Sequence, residues 1–195
     1  KHTDFYHYIP SSLFYNSGKG LDALAIKMED NIAYLAILKS FIDTVKEQYD
    51  FILIDCPGSL GQLMVNALMA SNEVILAAFP EKNSLAGLSK IMNFIDQISR
   101  RMHRKIQVRG VLFNRVDVRE TDLNKLLKDA KAHVKRELPF FNNWIPKRVS
   151  VARAVEHAAS IFEYEPSSDA AIAYAKLANE YLKQAGGEKR NGKSA

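Results

Sequence analysis

YDFILIDCPGSLGQLMVNAL, residues 49–68, carries the strongest structural pattern in the chain. Four apolar residues, 51–54, run directly into the carboxylate of Asp55, and Pro57, Gly58 and a helical pattern follow. An unbroken apolar run is typical of a strand buried on both faces of a parallel sheet. Ligands of open parallel sheets bind beyond the carboxyl ends of the strands. The pattern therefore predicts a buried strand and, at Asp55, a ligand site.

Strands and helices alternate along the remaining sequence. Further strands are predicted at DFYHYIP (residues 4–10), EVILAAF (73–79), IQVRGVLFN (106–114) and FFNNWIP (140–146). This alternation is typical of βαβ units. The predicted fold class is α/β, P-loop NTPase-like and doubly wound, with a parallel sheet covered by helices on both faces. We expect one domain over residues 1–185, the C-terminal two thirds of such a fold, and a flexible polar tail over 186–195.

Helices are predicted wherever apolar residues recur every three or four positions. The predicted helices cover residues 31–49, 61–71, 84–103, 121–134, 151–159 and 167–187. Ser84 and Thr121 are expected to cap two of them, because a hydroxyl can accept a hydrogen bond from the first turn. Gly186 and Gly187 are expected to end the last helix.

Composition narrows the class of protein. Of the 195 residues, 47% are hydrophobic and 25% are charged, which is typical of a globular chain. The net charge of +5 favours an acidic partner such as nucleic acid or a nucleotide, although an ordinary basic enzyme fits as well. The single cysteine, Cys56, excludes an internal disulfide and suits a reducing cytosol. No His or Asp pairs with it at a recognisable spacing, so we interpret it as a small core-facing residue.

A carboxylate that ends a buried strand is the Walker B pattern, in which Asp holds Mg²⁺ through water beside nucleotide phosphates. Capping of the next helix by Asp55 is the alternative interpretation. A Walker B site requires a P-loop, and the literal match is GEKRNGKS, residues 187–194. A working P-loop follows a buried strand and opens a helix. This match follows a surface helix instead, so we reject it, and the 195 residues contain no credible P-loop.

From about residue 50 to residue 184 the chain resembles the latter part of the ParA/MinD family of partition and positioning ATPases, which have a deviant Walker A motif. IDCPGSLG (54–61) is similar to the family's IDCPPSLG, with Gly58 in place of the second proline. GVLFNRVD (110–117) and the segment 144–182 resemble the family's nucleotide-base strand and its C-terminal part. Family members begin with a strand, a P-loop and a second strand that ends in a catalytic Asp. We expect these parts, with the P-loop lysine, upstream of Lys1.

The resemblance implies a site for ATP and Mg²⁺. Asp55 corresponds to the Walker B residue that holds Mg²⁺ through water, and Pro57 and Gly58 to the loop that senses the γ-phosphate. Asn114 corresponds to the residue that recognises adenine, and Pro146 lies where the family's backbone lines the base. No catalytic residue is assigned within these 195 residues, so ATP hydrolysis is expected of the complete protein and not of this chain alone.

The resemblance also implies partners. ParA-type members place DNA-contacting basic residues in the region of Lys147, Arg148 and Arg153. A second basic run, SRRMHRK (99–105), is either a solvated helix end or a DNA contact. The implied protein is cytoplasmic and nucleoid-associated, and acts in plasmid or chromosome partitioning. It forms a homodimer with ATP, binds DNA non-specifically and is regulated by a ParB-like centromere-binding protein.

Two alternatives remain open. A MinD-like positioning ATPase requires a C-terminal amphipathic helix with a large apolar face for the membrane, and the polar tail lacks one, so no membrane partner is expected. A Rossmann-like module that lacks a P-loop and only binds DNA or protein is the alternative from another functional class.

Overall fold

The computed structural model describes residues 7, 36–103, 105–117, 119, 122–133 and 138–191. Contacts divide them into two compact units. The first contains the described residues up to Asn72 together with residues 94–106, and the second contains residues 73–93 and those from 107 onward. The predicted strand at residues 4–10 and the first part of the predicted helix 31–49 lie outside the described residues. The prediction of a single domain stays a prediction.

Two short helices pack together in the first unit. Helix α1 spans Ile37–Val45 and continues into a 3-10 turn at Lys46–Gln48, and α2 spans Gln62–Ala70. The buried side chain of Asn66 on α2 accepts a 2.9 Å hydrogen bond from the backbone N–H of Leu38. This bond satisfies one of the amide donors that the start of any helix leaves without an intrahelical partner. A buried polar residue thus joins the two helices.

The predicted buried strand at residues 51–55 is wrong. Residues 51–57 adopt no regular secondary structure. Phe51 is 51% exposed and Leu53 is 91% exposed. An apolar run becomes a buried strand only where neighbouring strands supply its ladder hydrogen bonds. In the part of the chain that the structure describes, the sheet has two strands, and neither lies in this segment.

The second unit is built on two parallel strands, β1 (Glu73–Ala78) and β2 (Gln107–Phe113). Their register runs from Glu73 opposite Gln107 to Ala78 opposite Phe113, with one irregularity between Val74 and Ile75. Both strands were predicted, β1 as a buried strand over residues 73–79 and β2 as a strand over residues 106–114. The helices α3 (Lys82–Arg101), α4 (Leu123–His133), α5 (Val149–Glu156), α6 (Ile161–Tyr164) and α7 (Asp169–Asn191) complete the described elements. The predicted parallel sheet flanked by helices is confirmed.

The predicted last strand, 140–146, forms only two isolated parallel bridges, Val111 with Phe140 and Val116 with Pro146. Between them the backbone N–H groups of Asn142 and Asn143 donate to the Glu180 carboxylate of α7, at 2.8 and 3.0 Å. A backbone donor that bonds to a side chain is withdrawn from the strand ladder. The segment therefore lies beside β2 without forming a continuous strand.

Several helix boundaries differ from the predictions. Helix α3 begins at Lys82, so Ser84 lies inside it, and the Ser84 hydroxyl accepts a 2.9 Å bond from the Phe79 N–H. Asp122 caps α4, since its Oδ1 accepts from two backbone N–H groups of the first turn, and Thr121 lies outside the described residues. Helix α7 continues through the predicted glycine end to Asn191. Residues 186–191 of the predicted tail are therefore helical, and 192–195 lie outside the described residues.

Helix α7 contributes side chains to two apolar clusters. One contains Ala154, Ile161, Ala170 and Ala171, and the other contains Leu112, Phe141 and Ile145. Tyr174 of α7 contacts both. A buried polar group adds a third anchor: the Arg109 guanidinium, whose side chain is 4% exposed, is paired with Glu73, and the Tyr181 hydroxyl donates to the same carboxylate at 3.0 Å. Burial of a charge requires such partners, so α7 is fixed against the sheet.

Candidate nucleotide site at the carboxyl edge of the sheet

The carboxyl ends of three extended segments meet at one edge of the second unit. The Asn114 N–H donates to the Ala78 carbonyl at 2.9 Å and joins the ends of β1 and β2. Two residues further on, Val116 pairs with Pro146, and the Lys147 N–H donates to the Val116 carbonyl at 2.9 Å. The structure therefore brings the predicted residues Asn114 and Pro146 to the same edge. This is the edge at which parallel sheets bind their ligands.

The Asn114 side chain is half-buried, and a hydrogen bond within the chain orients it. Its Oδ1 accepts a 2.9 Å hydrogen bond from the N–H of Arg115. Among the described residues, no hydrogen bond engages its Nδ2. A carboxamide offers two donors and two acceptor lone pairs, so the bond to Arg115 uses one of its two acceptor positions. Pro146, which pairs with Val116, is buried and carries no backbone donor.

Two residues at this edge were missed by the sequence analysis. Arg115 has a left-handed backbone, with φ of 55°, and its Cζ lies 5.5 Å from the centre of the Phe79 ring. Phe79 directly follows β1, and its N–H is held by the Ser84 hydroxyl. Phe79 could have been identified from the sequence as a residue of this edge, because it ends the apolar run that was predicted as a strand. A left-handed arginine has no local sequence signal.

Asp55, Pro57 and Gly58 belong to the first unit and are exposed there. A Cβ added to Gly58 would have no heavy atom within 4 Å, so packing inside the chain does not require glycine here. Their predicted role beside Asn114 and Pro146 stays a prediction.

Mg²⁺ keeps several waters and takes one or two carboxylates together with substrate phosphates. Across the described ranges, no three His, Cys, Asp or Glu side chains cluster to hold a metal. Mg²⁺ therefore requires few protein ligands. Asp55 offers one exposed carboxylate, and the loop that follows it has open space at Gly58, so these residues fit such a site.

Cys56 differs from the predicted core residue, because it is exposed. Desolvation by neighbouring protein atoms raises the pKa of its thiol, and the adjacent Asp55 carboxylate raises that pKa further. Both effects disfavour the thiolate, which is the reactive form.

The three basic residues that were predicted to contact DNA differ in their surroundings. Lys147 and Arg153 are exposed. Arg148 precedes α5, and its Nε donates to Asp169 Oδ2 at 2.7 Å. Its charge is therefore partly neutralised within the fold, and the set divides into two available cations and one paired cation.

Comparison with known proteins identifies the family. Residues 7–108 match the family model AAA_31, which is described as an AAA domain. The chain belongs to this family. It is 32% identical over 155 residues to the sporulation initiation inhibitor protein Soj of Bacillus subtilis, which covers 80% of this chain and 60% of that protein. It is 30% identical over 166 residues to the chromosome-partitioning ATPase Soj of Treponema pallidum, which covers 85% and 65%.

These relatives confirm that the chain is a member of the ParA/MinD group, as the resemblance of residues 50–184 predicted. The chain spans 60% and 65% of the lengths of the two Soj proteins. The septum site-determining protein MinD of Pyrococcus horikoshii, solved as a complex with Mg-ADP, has a TM-score of 0.62 at 27% identity and covers 78% of this chain and 58% of its own. In the described residues no helix is both long and apolar enough to cross a membrane.

A second solved structure supports the fold alone. Cobyrinic acid a,c-diamide synthase of Mycobacterium smegmatis has a TM-score of 0.67 at 24% identity. The match covers 82% of this chain and 57% of that one. The shared feature is therefore the helix-flanked parallel sheet and not a common reaction.

Proposed function

We propose that the protein is a ParA-type ATPase in DNA partitioning, and that the carboxyl edge of its sheet binds the adenine of ATP. The observation that supports this most is the convergence of Asn114 and Pro146, which the Val116–Pro146 bridge holds at one edge. The pair offers a polar group and an apolar wall, which suits a planar heterocycle with hydrogen-bonding edges.

In this proposal the loop after residue 54 serves the phosphates. Asp55 holds Mg²⁺ through water, and Pro57 and Gly58 approach the γ-phosphate with no side chain at position 58 to exclude it. Bound Mg²⁺ neutralises charge on the phosphate oxygens. The phosphate-binding lysine and the catalytic Asp are proposed to lie outside these 195 residues, because no P-loop occurs within them.

The proposed partners follow from the same family. Two subunits with bound ATP form a homodimer, the dimer binds DNA without sequence preference, and a ParB-like protein regulates hydrolysis and release. Such a protein acts in the cytoplasm on the nucleoid. Lys147 and Arg153 support the DNA contact, since both are exposed cations and phosphate contacts require available positive charge.

Magnesium-dependent ATP turnover by the complete protein tests this function. Asp55→Ala is expected to abolish turnover, because loss of a carboxylate that orders Mg²⁺ costs several kcal/mol in the transition state. Asp50→Ala is the matched control, since Asp50 is exposed just before the same segment and has no proposed role. Turnover by Asp55→Ala within about twofold of Asp50→Ala would exclude the assignment.

A binding module without ATPase activity is the second candidate, because the exposed cations Lys147 and Arg153 would serve DNA binding in the same way without ATP. The two functions differ in whether DNA binding requires ATP. A ParA-type ATPase binds DNA only with ATP, whereas a binding module binds equally with and without it. Binding of random duplex DNA by the complete protein, measured in both conditions, separates them.

A further inference from the structure

The connection between α5 and α6 is a defined corner of the second unit. The Ala159 N–H donates to the Ala154 carbonyl at 3.0 Å, and the Ala158 N–H donates to the Val155 carbonyl at 2.9 Å. These two bonds form a Schellman motif, which satisfies carbonyls at the end of a helix. Ala158 adopts the left-handed backbone that the motif requires, with φ of 49°. The chain therefore leaves α5 in one fixed direction.

Further contacts fix α6 beside α5. Ser160 and Glu163 form a capping box at the start of α6. The centres of the His157 and Tyr164 rings lie 5.0 Å apart across the corner. Both helices also contribute to one buried apolar cluster, which the first turn of α7 completes. The corner is therefore rigid, and a partner that binds to it would order few groups of this chain.

Two large apolar side chains of the corner face the solvent. Val155 is 74% exposed and Phe162 is 50% exposed. They directly follow Ala154 and Ile161, which are both buried in the shared cluster. Since consecutive Cα atoms lie about 3.8 Å apart, both exposed side chains originate beside the same cluster. A single exposed apolar residue is ordinary, whereas grouped ones are typical of interaction sites.

The charge around these side chains is opposite to that of the whole chain. Residues 154–175 contain no Lys or Arg, although the net charge of the chain is +5. Their carboxylates are those of Glu156, Glu163, Glu165 and Asp169. Asp169 is paired with Arg148, and Glu163 serves the capping box. Within the described residues, no cation pairs with the exposed side chains of Glu156 and Glu165.

These features indicate the chemistry of a ligand. A guanidinium pairs with carboxylates and stacks on aromatic faces, and the corner offers Glu156, Glu165 and the exposed ring of Phe162. An apolar side chain of the same ligand would cover Val155. DNA and anionic lipids carry phosphates, which carboxylates repel. The corner therefore fits a cationic and partly apolar segment of a protein.

We propose that the α5–α6 corner docks a segment of a protein partner that carries arginine or lysine beside apolar residues. Val155 and Phe162 contact the apolar side chains of the segment, and Glu156 and Glu165 pair with its cations. The inference goes beyond the proposed ATPase function and does not depend on it, because none of these four residues belongs to the nucleotide site.

A synthetic helical peptide of arginine and leucine, about twelve residues long, is a suitable probe. Leucine occupies one face of the helix and arginine the other. Its affinity for the complete protein is measured by fluorescence anisotropy at low salt, without nucleotide. Two control peptides carry glutamate in place of arginine, or serine in place of leucine. We expect the arginine-leucine peptide to bind at least about tenfold more tightly than either control.

Substitutions at the corner test whether the peptide binds there. The double variant of Glu156→Gln and Glu165→Gln should weaken binding about fivefold, because two ion pairs are lost. Phe162→Ser should weaken it about tenfold, because an apolar contact is lost. Glu47→Gln, in the 3-10 turn after α1, and Leu182→Ser, on the later part of α7, are matched controls at exposed positions. Both controls should leave the affinity unchanged.

Salt distinguishes the two kinds of contact. Screening weakens exposed ion pairs, so the effect of the double variant should shrink as the salt concentration rises. The effect of Phe162→Ser should persist, since burial of apolar surface does not depend on charge. Val155→Ser provides a second apolar variant at a more exposed position and should behave like Phe162→Ser. Circular dichroism of each variant confirms that the fold is retained.

Three outcomes would overturn the docking site. The first is an unmodified protein that does not bind the arginine-leucine peptide. The second is an affinity that the double variant, Phe162→Ser and Val155→Ser all leave unchanged. The third is equal weakening by Glu47→Gln and Leu182→Ser, which would show that the peptide is attracted without a site.

A second copy of this chain is the other possible occupant of the corner. Analytical ultracentrifugation with ATP tests this, and Phe162→Ser should self-associate like the unmodified protein. Loss of self-association in Phe162→Ser would assign the corner to a subunit interface and overturn the proposal. Magnesium-dependent ATP turnover is measured separately, so failure of the docking site leaves the proposed function standing.

Discussion

Asp169 holds the guanidinium of Arg148: Nε donates to Oδ2 at 2.7 Å, and Nη2 lies 2.5 Å from the same oxygen. Both side chains are partly exposed, so the pair contributes at most about 1 kcal/mol to stability. The pair matters more for DNA binding than for stability, because a guanidinium that is bonded to a carboxylate is less available to a DNA phosphate. The basic segment after Pro146 therefore presents Lys147 and Arg153 to a partner and keeps Arg148 within the fold.

DNA affinity is expected to follow this division. In the complete protein with ATP, Lys147→Ala and Arg153→Ala should each weaken binding to random duplex DNA and lower the salt slope by about 0.9 per lost contact. Arg148→Ala should change both quantities less. Fluorescence anisotropy from low to moderate salt measures them, with Lys128→Ala on α4 as an exposed control.

Substitution of the carboxylate that pairs with Arg148 provides a second test of this division. Asp169→Asn removes the carboxylate that neutralises Arg148, so affinity for DNA should rise and the salt slope should steepen by about one contact. If Arg148→Ala weakens binding as much as Lys147→Ala, or Asp169→Asn has no effect, the division of the three cations is incorrect.

Glu180 ties α7 to the segment that carries Pro146. Its carboxylate accepts four hydrogen bonds, from the backbone and side-chain amides of Asn142 and Asn143, at 2.6 to 3.0 Å. Partial burial raises the pKa of Glu180, but these hydrogen bonds together outweigh it, so the pKa lies below its usual value. In Glu180→Gln, the new NH₂ group would face amide donors, and we expect a loss of about 1–3 kcal/mol in the free energy of unfolding.

The pH dependence of this loss follows from the lowered pKa. A carboxyl group whose pKa is lower in the folded state stabilises fully above its unfolded value, near 4.5, and loses that contribution as pH falls through the folded value. Urea unfolding between pH 7 and pH 3 should therefore show the original chain and Glu180→Gln converging at acid pH. Glu156→Gln, on exposed α5, is the control. A difference that stays constant over this range would contradict the role of the charge.

Gly110 of β2 permits a close approach of the next segment. A Cβ at this position would lie 3.2 Å from two carbons of the Phe141 ring and 3.3 Å from the Pro139 carbonyl oxygen. Gly110→Ala should lower the free energy of unfolding by about 1–3 kcal/mol, as is typical of overpacking.

Gly87→Ala is the matched comparison, because Gly87 lies inside α3 and a Cβ there would meet nothing within 4 Å. It should raise stability by about 0.5–1 kcal/mol, since alanine is the better helix former. Thermal and urea unfolding of both variants measure the effects. Equal effects of the two changes would show that the approach at Gly110 is unimportant.

Local patterns in the sequence predicted much of the fold. The run around β1 is largely apolar, whereas the run around β2 also contains Gln107 and the buried Arg109, which is paired with Glu73. The capping box of Ser160 and Glu163, at the start of α6, carries a recognisable Ser-x-x-Glu spacing and was missed. Residues 51–54 show the limit of such patterns. A pattern indicates that a segment is apolar, but it does not indicate which neighbouring strand would supply its backbone hydrogen bonds.

The candidate site was predicted in part and for a clear reason. Asn114 and Pro146 end two segments that were predicted as strands, and parallel strands bring such ends to one edge. The contact of Glu180 with Asn142, 38 residues away, depends on how α7 packs, and no local pattern encodes it. The contact of the Arg115 guanidinium with the Phe79 ring likewise joins residues 36 positions apart, and no local pattern encodes it.

The most direct test of the central claim is the affinity of the complete protein for ADP, measured by titration calorimetry with Asn114→Ala and Asn124→Ala. Asn124 is an exposed asparagine of α4, with no proposed contact to the ligand. If the carboxyl edge binds adenine, Asn114→Ala should weaken ADP binding at least about tenfold, or 1.4 kcal/mol, while Asn124→Ala leaves it unchanged. Equal affinity in the two variants would contradict the claim that Asn114 and Pro146 form the base site.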